Sequence, residues 1–152
     1  MHLLAADGLS CPRCGPGFPL ILLADGVRER RVVDGVLGCS NCRERYPITG
    51  GCGDRRPEPR REGPPPDPVP HTTEAEVDRI SSALDLAGES RAVLLDGAVR
   101  FAPGLAARHP AASLWAVSPA VVDWPEKPGI DRLHAGARLP FSDWSMRGVV
   151  LE

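Results

Sequence analysis

Lysine is nearly missing from this 152-residue chain: Lys127 is the only one, and arginine supplies the remaining cationic side chains. The 18 basic residues are outnumbered by 20 acidic ones, for a net charge of −2. That balance lacks the overall basic excess of a general nucleic-acid binder. Aromatics make up only 5% of the chain, so a core must be built mainly from Leu, Val and Ala. No apolar run approaches the length of a membrane span. Met1 to Asp7 has neither a basic segment nor a long apolar stretch of the secretory type. The histidines His2, His71, His109 and His134 are scattered, and none is paired by sequence with a Ser or Cys nucleophile. Acid–base and nucleophilic constellations are therefore not read from this chain.

What is present is cysteine in a pattern. Cys11 and Cys14 form one C-x-x-C, Cys39 and Cys42 a second, with 24 residues between the pairs. A two-residue gap lets both sulfurs of a turn reach one ion, and two such turns make a tetrahedral sulfur site suited to Zn²⁺. Four thiolates leave no open position, so the metal is expected to be structural. Metal-bound thiolates in a reducing cytoplasm are the simpler account of the cysteines than disulfides. Cys52, the fifth, could be a spare ligand or a reactive thiol, but reads better as a small apolar filler.

Three regions separate by composition: a ribbon over 1–53, a linker over 54–70 and an α/β region over 71–152. In the first, Leu20 to Leu23 reads as a strand, Asp25-Gly26 as a turn, and Asp34-Gly35 as the turn of a hairpin between Arg31-Val33 and Val36-Leu37. The linker holds seven of the 17 prolines with Arg55, Arg56, Arg60 and Arg61, and is expected to be stiff and extended. In the third, Thr73 and Glu76 fit a capping box ahead of Val77, Ile80, Leu84 and Ala87 at helical spacing, with Gly88 as the stop. Strands are expected at Ala92–Leu95, Leu114–Val117, Ile130–Leu133 and Gly148–Leu151, with a helix over Gly104–Arg108. The fold class read from this is α+β: a small N-terminal β zinc ribbon, a Pro-rich linker, then a partial Rossmann-like domain of about four parallel strands.

Leu9-Ser10-Cys11-Pro12-Arg13-Cys14, then Leu37-Gly38-Cys39-Ser40-Asn41-Cys42 and Tyr46-Pro47-Ile48, resembles the small zinc-binding activator subunit of tRNA, rRNA and release-factor methyltransferases. It is also similar to the zinc ribbon that opens many bacterial class I methyltransferases. The remainder resembles the first half of a class I, S-adenosylmethionine-dependent methyltransferase, through Leu94-Leu95-Asp96-Gly97 and Leu139-Pro140-Phe141-Ser142-Asp143-Trp144-Ser145 before Val149-Val150-Leu151. The resemblance implies cofactor contacts at Asp96 and Gly97, but the family's glycine-rich turn is lost there. Ser118-Pro119 and Ala135 stand where acids are expected. Asp96 and Gly97 are thus vestigial on this reading, and S-adenosylmethionine is not expected as a cofactor.

The function these readings favour is a non-catalytic zinc protein with a degenerate methyltransferase-like region, binding or activating a methyltransferase or another assembly. Two alternatives stay open: a methyltransferase with an altered cofactor site, and an RNA-binding zinc-ribbon module. The last strand should leave an apolar edge at residues 148–152, where a protein partner or a second copy is expected.

Overall fold

The computed structural model describes residues 1–56, 71–136, 138, 139 and 141–152. Most of the expected linker, from residue 57 to 70, lies outside the described residues, as do Ala137 and Pro140.

Nine strands form one sheet in the order β1-β2-β3-β4-β5-β8-β7-β6-β9. The first five, β1 (Ser10–Cys11), β2 (Gly15–Arg28), β3 (Arg31–Cys39), β4 (Arg45–Thr49) and β5 (Cys52–Asp54), pair antiparallel in chain order. The other four, β6 (Arg91–Leu95), β7 (Ser113–Val117), β8 (Ile130–His134) and β9 (Gly148–Leu151), pair in parallel. The two sets are continuous. β5 lies parallel to β8, with Cys52, Gly53 and Asp54 opposite Arg132, Leu133 and His134. The Arg55 N–H extends that ladder to the His134 carbonyl at 2.7 Å.

This join overturns the α+β expectation of a zinc ribbon beside a separate Rossmann-like domain: both sets of strands belong to one mixed sheet. Local periodicity could not reveal a pairing between residues so far apart in the chain. Its one local sign is Gly53, where a Cβ would lie 2.8 Å from Leu133 Cδ2 and 3.0 Å from Met1 Cε.

The β2–β3 hairpin also turns elsewhere than expected. Glu29 and Arg30 both have positive φ (48° and 63°) and form the reversal. Asp34-Gly35 lies inside β3 instead. Gly35 serves close approach: a Cβ there would stand 2.5 Å from the Leu23 carbonyl oxygen. The register shifts twice around Gly26, so Asp25-Gly26 marks an irregularity within β2 rather than a turn.

Two helices cover one face of the parallel strands. Helix α1 (Glu74–Leu84) starts at the Thr73–Glu76 capping box, and helix α2 (Ala102–Arg108) follows a 3₁₀ turn over Asp96–Phe101. α1 ends at Asp85 in left-handed conformation (φ 46°), short of Gly88. Arg147 Nε donates to the Asp85 carbonyl at 2.9 Å and so holds that end.

Alternation in the strands gives two cores. Ala92, Leu94, Leu114 and Ala116 face the helices and pack with Val77, Val99, Phe101 and Leu105. Val93, Trp115, Val117 and Leu133 face the other way and share a second core with Leu20, Val32, Leu37, Tyr46 and Ile48 of the antiparallel strands. A 3₁₀ segment over Leu3–Gly8 contributes Ala5 and Ala6 to that second core.

An ionic seam reinforces the join. Buried Arg132 donates to the carbonyls of Val121, Val122, Trp124 and Gly50 and to Glu126 at 3.1 Å. Arg31 of β3 reaches the Ile130 carbonyl at 2.6 Å, Asp131 at 3.0 Å, and Glu126. The Met1 amino group donates to the carbonyls of Val32 (3.1 Å) and Gly51 (3.0 Å) and pairs with Glu126.

Candidate metal centre

Strand pairing brings the two cysteine turns together. Cys11 ends β1 and Cys39 ends β3, and each strand then reverses over the next residues toward Cys14 and Cys42. β2 pairs with both β1 and β3, with Leu20 opposite Cys39, so both turns emerge at one end of the sheet. Positive φ at Gly15 (102°) and Arg43 (61°) lets the chain leave each turn tightly. Cys39 is held by its N–H to the Glu44 carbonyl and by its own carbonyl to the Arg43 N–H, both at 3.0 Å. Arg13 and Glu44 pair across the two turns at 3.0 Å.

The four Sγ atoms all lie within 4.8 Å of one another. Cys11 and Cys42 sulfurs are 3.6 Å apart, Cys14 and Cys39 sulfurs 3.8 Å. Sulfurs at the corners of a tetrahedron with metal–sulfur bonds of about 2.3 Å would lie about 3.8 Å apart. The spacing therefore fits one tetrahedral ion, and the cysteines are positioned to hold a metal. Cys11 and Cys39 are buried, Cys14 and Cys42 half-buried.

Neighbours supply hydrogen bonds to the sulfurs. The Cys14 N–H donates to Cys11 Sγ at 3.4 Å, Asn41 Nδ2 donates to Cys14 Sγ at 3.3 Å, and the Tyr46 hydroxyl lies 3.5 Å from Cys11 Sγ. For Cys11 as a free thiol, burial is the largest influence and pushes its pKa up. Hydrogen bonds from Tyr46 and from the Cys14 and Arg13 backbone outweigh it and bring the value to about 6. Cys42 goes the other way, to about 12, through burial and the adjoining sulfurs. Four thiolates this close are thus mutually unfavourable until a cation sits among them, and a bound divalent ion reverses that preference.

Arg55 completes the surroundings. Its guanidinium lies 5.1 Å over the Tyr46 ring and donates to the carbonyl of Ser10, next to Cys11. Burial lowers its pKa to about 10, with Tyr46 and Cys11 acting against that shift. Asn41, Tyr46 and Arg55 were not readable as part of the site by spacing. Asn41 and Tyr46 stood inside the motif, but Arg55 stood among residues assigned to a linker.

The other candidates lie elsewhere. Asp96 and Gly97 open the 3₁₀ turn after β6, and the adjoining Ala98, Val99 and Phe101 are buried in the helix-side core. Arg100 stacks 4.4 Å over Phe101 and pairs with Glu152 and Glu76. Cys52 is buried in β5, outside the four-sulfur cluster, and burial raises its thiol to about 11. The structure does bring one histidine to a hydroxyl: His109 Nε2 lies 2.6 Å from Ser81 Oγ. Among the described residues no carboxylate orients that ring, and the contact ties α1 to the end of α2. A cavity of about 270 Å³ opens at the N-terminal ends of β6, β7 and β8, lined by His2, Arg31, Arg91, Ser113 and Asp131 among others. It touches neither the cysteines nor Asp96. No helix among the described residues is long and apolar enough to cross a membrane.

No protein-family model matches the chain, and no curated protein matches it in sequence. The resemblance to methyltransferases and their activators therefore gains no support from relatives.

Proposed function

We propose that Cys11, Cys14, Cys39 and Cys42 hold one structural Zn²⁺, and that the protein is a zinc-fastened binding protein without catalysis at the metal. The observation that carries this is the gathering of four sulfurs from two strand-end turns within 4.8 Å of one another, with two pairs at 3.6 and 3.8 Å. A complete set of protein ligands leaves no position for water or substrate. The test is metal content of the purified chain together with cobalt substitution. One zinc per chain, and a visible spectrum of tetrahedral thiolate-bound Co²⁺ lost in Cys39→Ser, are expected. A chain that binds neither ion removes this reading.

The binding role falls to the outer edge of β9. This strand pairs only with β6 among the described residues, and Val149 and Leu151 are 52% and 70% exposed. An unpaired row of backbone groups beside apolar side chains is a template for another strand. A second copy, paired edge to edge about a two-fold axis, is the occupant we assign. Sedimentation over a dilution series should show a dimer that Val149→Lys abolishes. A monomer at every concentration would leave the edge for a heterologous partner, with a methyltransferase the first to test from the resemblance of residues 9–48.

A further inference from the structure

Among the described residues Arg55 is the second-largest fully buried side chain, with no exposed surface. Its side chain makes one hydrogen bond among the described residues, from Nη2 to the Ser10 carbonyl. Its Nε and Nη1 atoms are buried and have no partner. No carboxylate pairs with it among the described residues. A buried guanidinium in that condition is costly, because a desolvated charge requires a counter-charge or a full set of acceptors.

The contrast with Arg132 is instructive. That arginine is also buried, yet its two terminal nitrogens meet four carbonyls and the Glu126 carboxylate. Its charge is met by a carboxylate and both terminal nitrogens have acceptors, with only Nε left unpartnered. The Arg55 side chain has one carbonyl acceptor and no carboxylate among the described residues, and negative charge of another kind adjoins it.

The neighbouring metal centre has the charge required. Four thiolates around one divalent cation carry a net charge of two minus. That dianion is itself half enclosed by protein, with Cys11 and Cys39 buried. Arg55 adjoins it twice: through the backbone at Ser10, one residue before Cys11, and through the Tyr46 ring, whose hydroxyl meets Cys11 Sγ. We propose that Arg55 is the resident counter-ion of the four-thiolate metal centre, and that the metal and Arg55 each stabilise the other's burial. This rests on the zinc reading above.

The consequence is reciprocal coupling. With its cation removed, the centre is an uncompensated dianion in a low-dielectric surrounding and holds the metal less tightly. The sulfur donor orbitals also rise in energy, because the nearby positive charge no longer lowers them. A residue that merely fills space would do neither.

The experiment compares wild type, Arg55→Met and Arg55→Lys, each loaded with cobalt and, separately, with zinc. Met keeps much of the volume without charge; Lys keeps the charge. Arg55→Met should bind zinc at least tenfold more weakly in competition with a chromophoric chelator. Its sulfur-to-cobalt charge-transfer band should shift to lower energy. Arg55→Lys should recover most of both. If wild type shows a four-sulfur cobalt site and Arg55→Met matches it in affinity and band position, the inference is wrong while the metal reading stands. Equal loss in both variants with no band shift would mark Arg55 as packing alone. A wild type with no four-sulfur spectrum removes the metal reading itself.

Discussion

Loss of the metal should loosen the parallel strands as well as the cysteine turns. Cys11 and Cys39 sit in the same core as Val93, Trp115, Val117 and Leu133. Cys39 is only 4% exposed. A metal that binds only the folded chain stabilises it by about 2.7 kcal/mol when free zinc is held at about 100 times its dissociation constant. For a domain of this size that corresponds to a rise in Tm of about 5–11 °C. The assay is thermal unfolding with and without buffered zinc, followed by far-ultraviolet dichroism and by Trp115 fluorescence in a Trp124→Phe, Trp144→Phe background. Trp115 is buried in β7, on the parallel side of the join. Both signals should shift together, and Cys39→Ala should abolish the shift in both. If zinc moves the dichroism of the antiparallel strands while Trp115 melts at an unchanged temperature, the shared core does not couple the two halves.

Arg132→Met should cost on the order of 3 kcal/mol in urea unfolding, since it removes a buried arginine that donates to four carbonyls and to Glu126; a loss within error of zero would count against the seam. Burial pushes the Glu126 carboxyl up, but Arg31, the terminal amino group and Arg132 outweigh it and hold its pKa below the usual 4.5. Its contribution is therefore complete above that pH and fades as pH falls through the folded-state value. The gap in urea midpoint between wild type and Glu126→Gln should narrow below pH 4.5, and a gap that widens there refutes the assignment. Thr73→Ala removes the cap of α1 and should lower stability by about 1 kcal/mol in the same measurement.

Short-range signals were legible. The Thr73–Glu76 box, the apolar runs of β6 and β7 and the paired cysteines each depend on residues a few positions apart, and each sits where its spacing implied. What spacing missed depends on the third dimension. Asp34-Gly35 has the composition of a turn, but the side-chain-free position is used by the Leu23 carbonyl across the ladder. Arg55 looked like linker charge because its neighbours are arginine and proline, yet β5 carries it under Tyr46. The parallel pairing of Cys52 with Arg132 has no counterpart in either residue's local sequence. That single pairing decides the fold class, which is why two recognisable patterns were read as two units.

The layers of the sheet explain why a metal belongs where it does. The parallel strands are covered on both faces: the two helices lie on one and the shared core lies on the other. Among the described residues the antiparallel strands have no such second cover, and Ile21, Leu23 and Val27 of β2 are each more than half exposed. An antiparallel sheet can keep one face in water, but each of its strands then has a single apolar layer to hold it. The cysteines stand at the ends of β1 and β3 and just beyond, and they bring two strand-end turns onto one point. Cys11 and Cys39 belong to the core that also holds Trp115, so an ion among the four sulfurs would be continuous with it. A metal held by these cysteines would thus take the place of a second layer, and would stabilise the whole sheet because the two sets of strands are continuous.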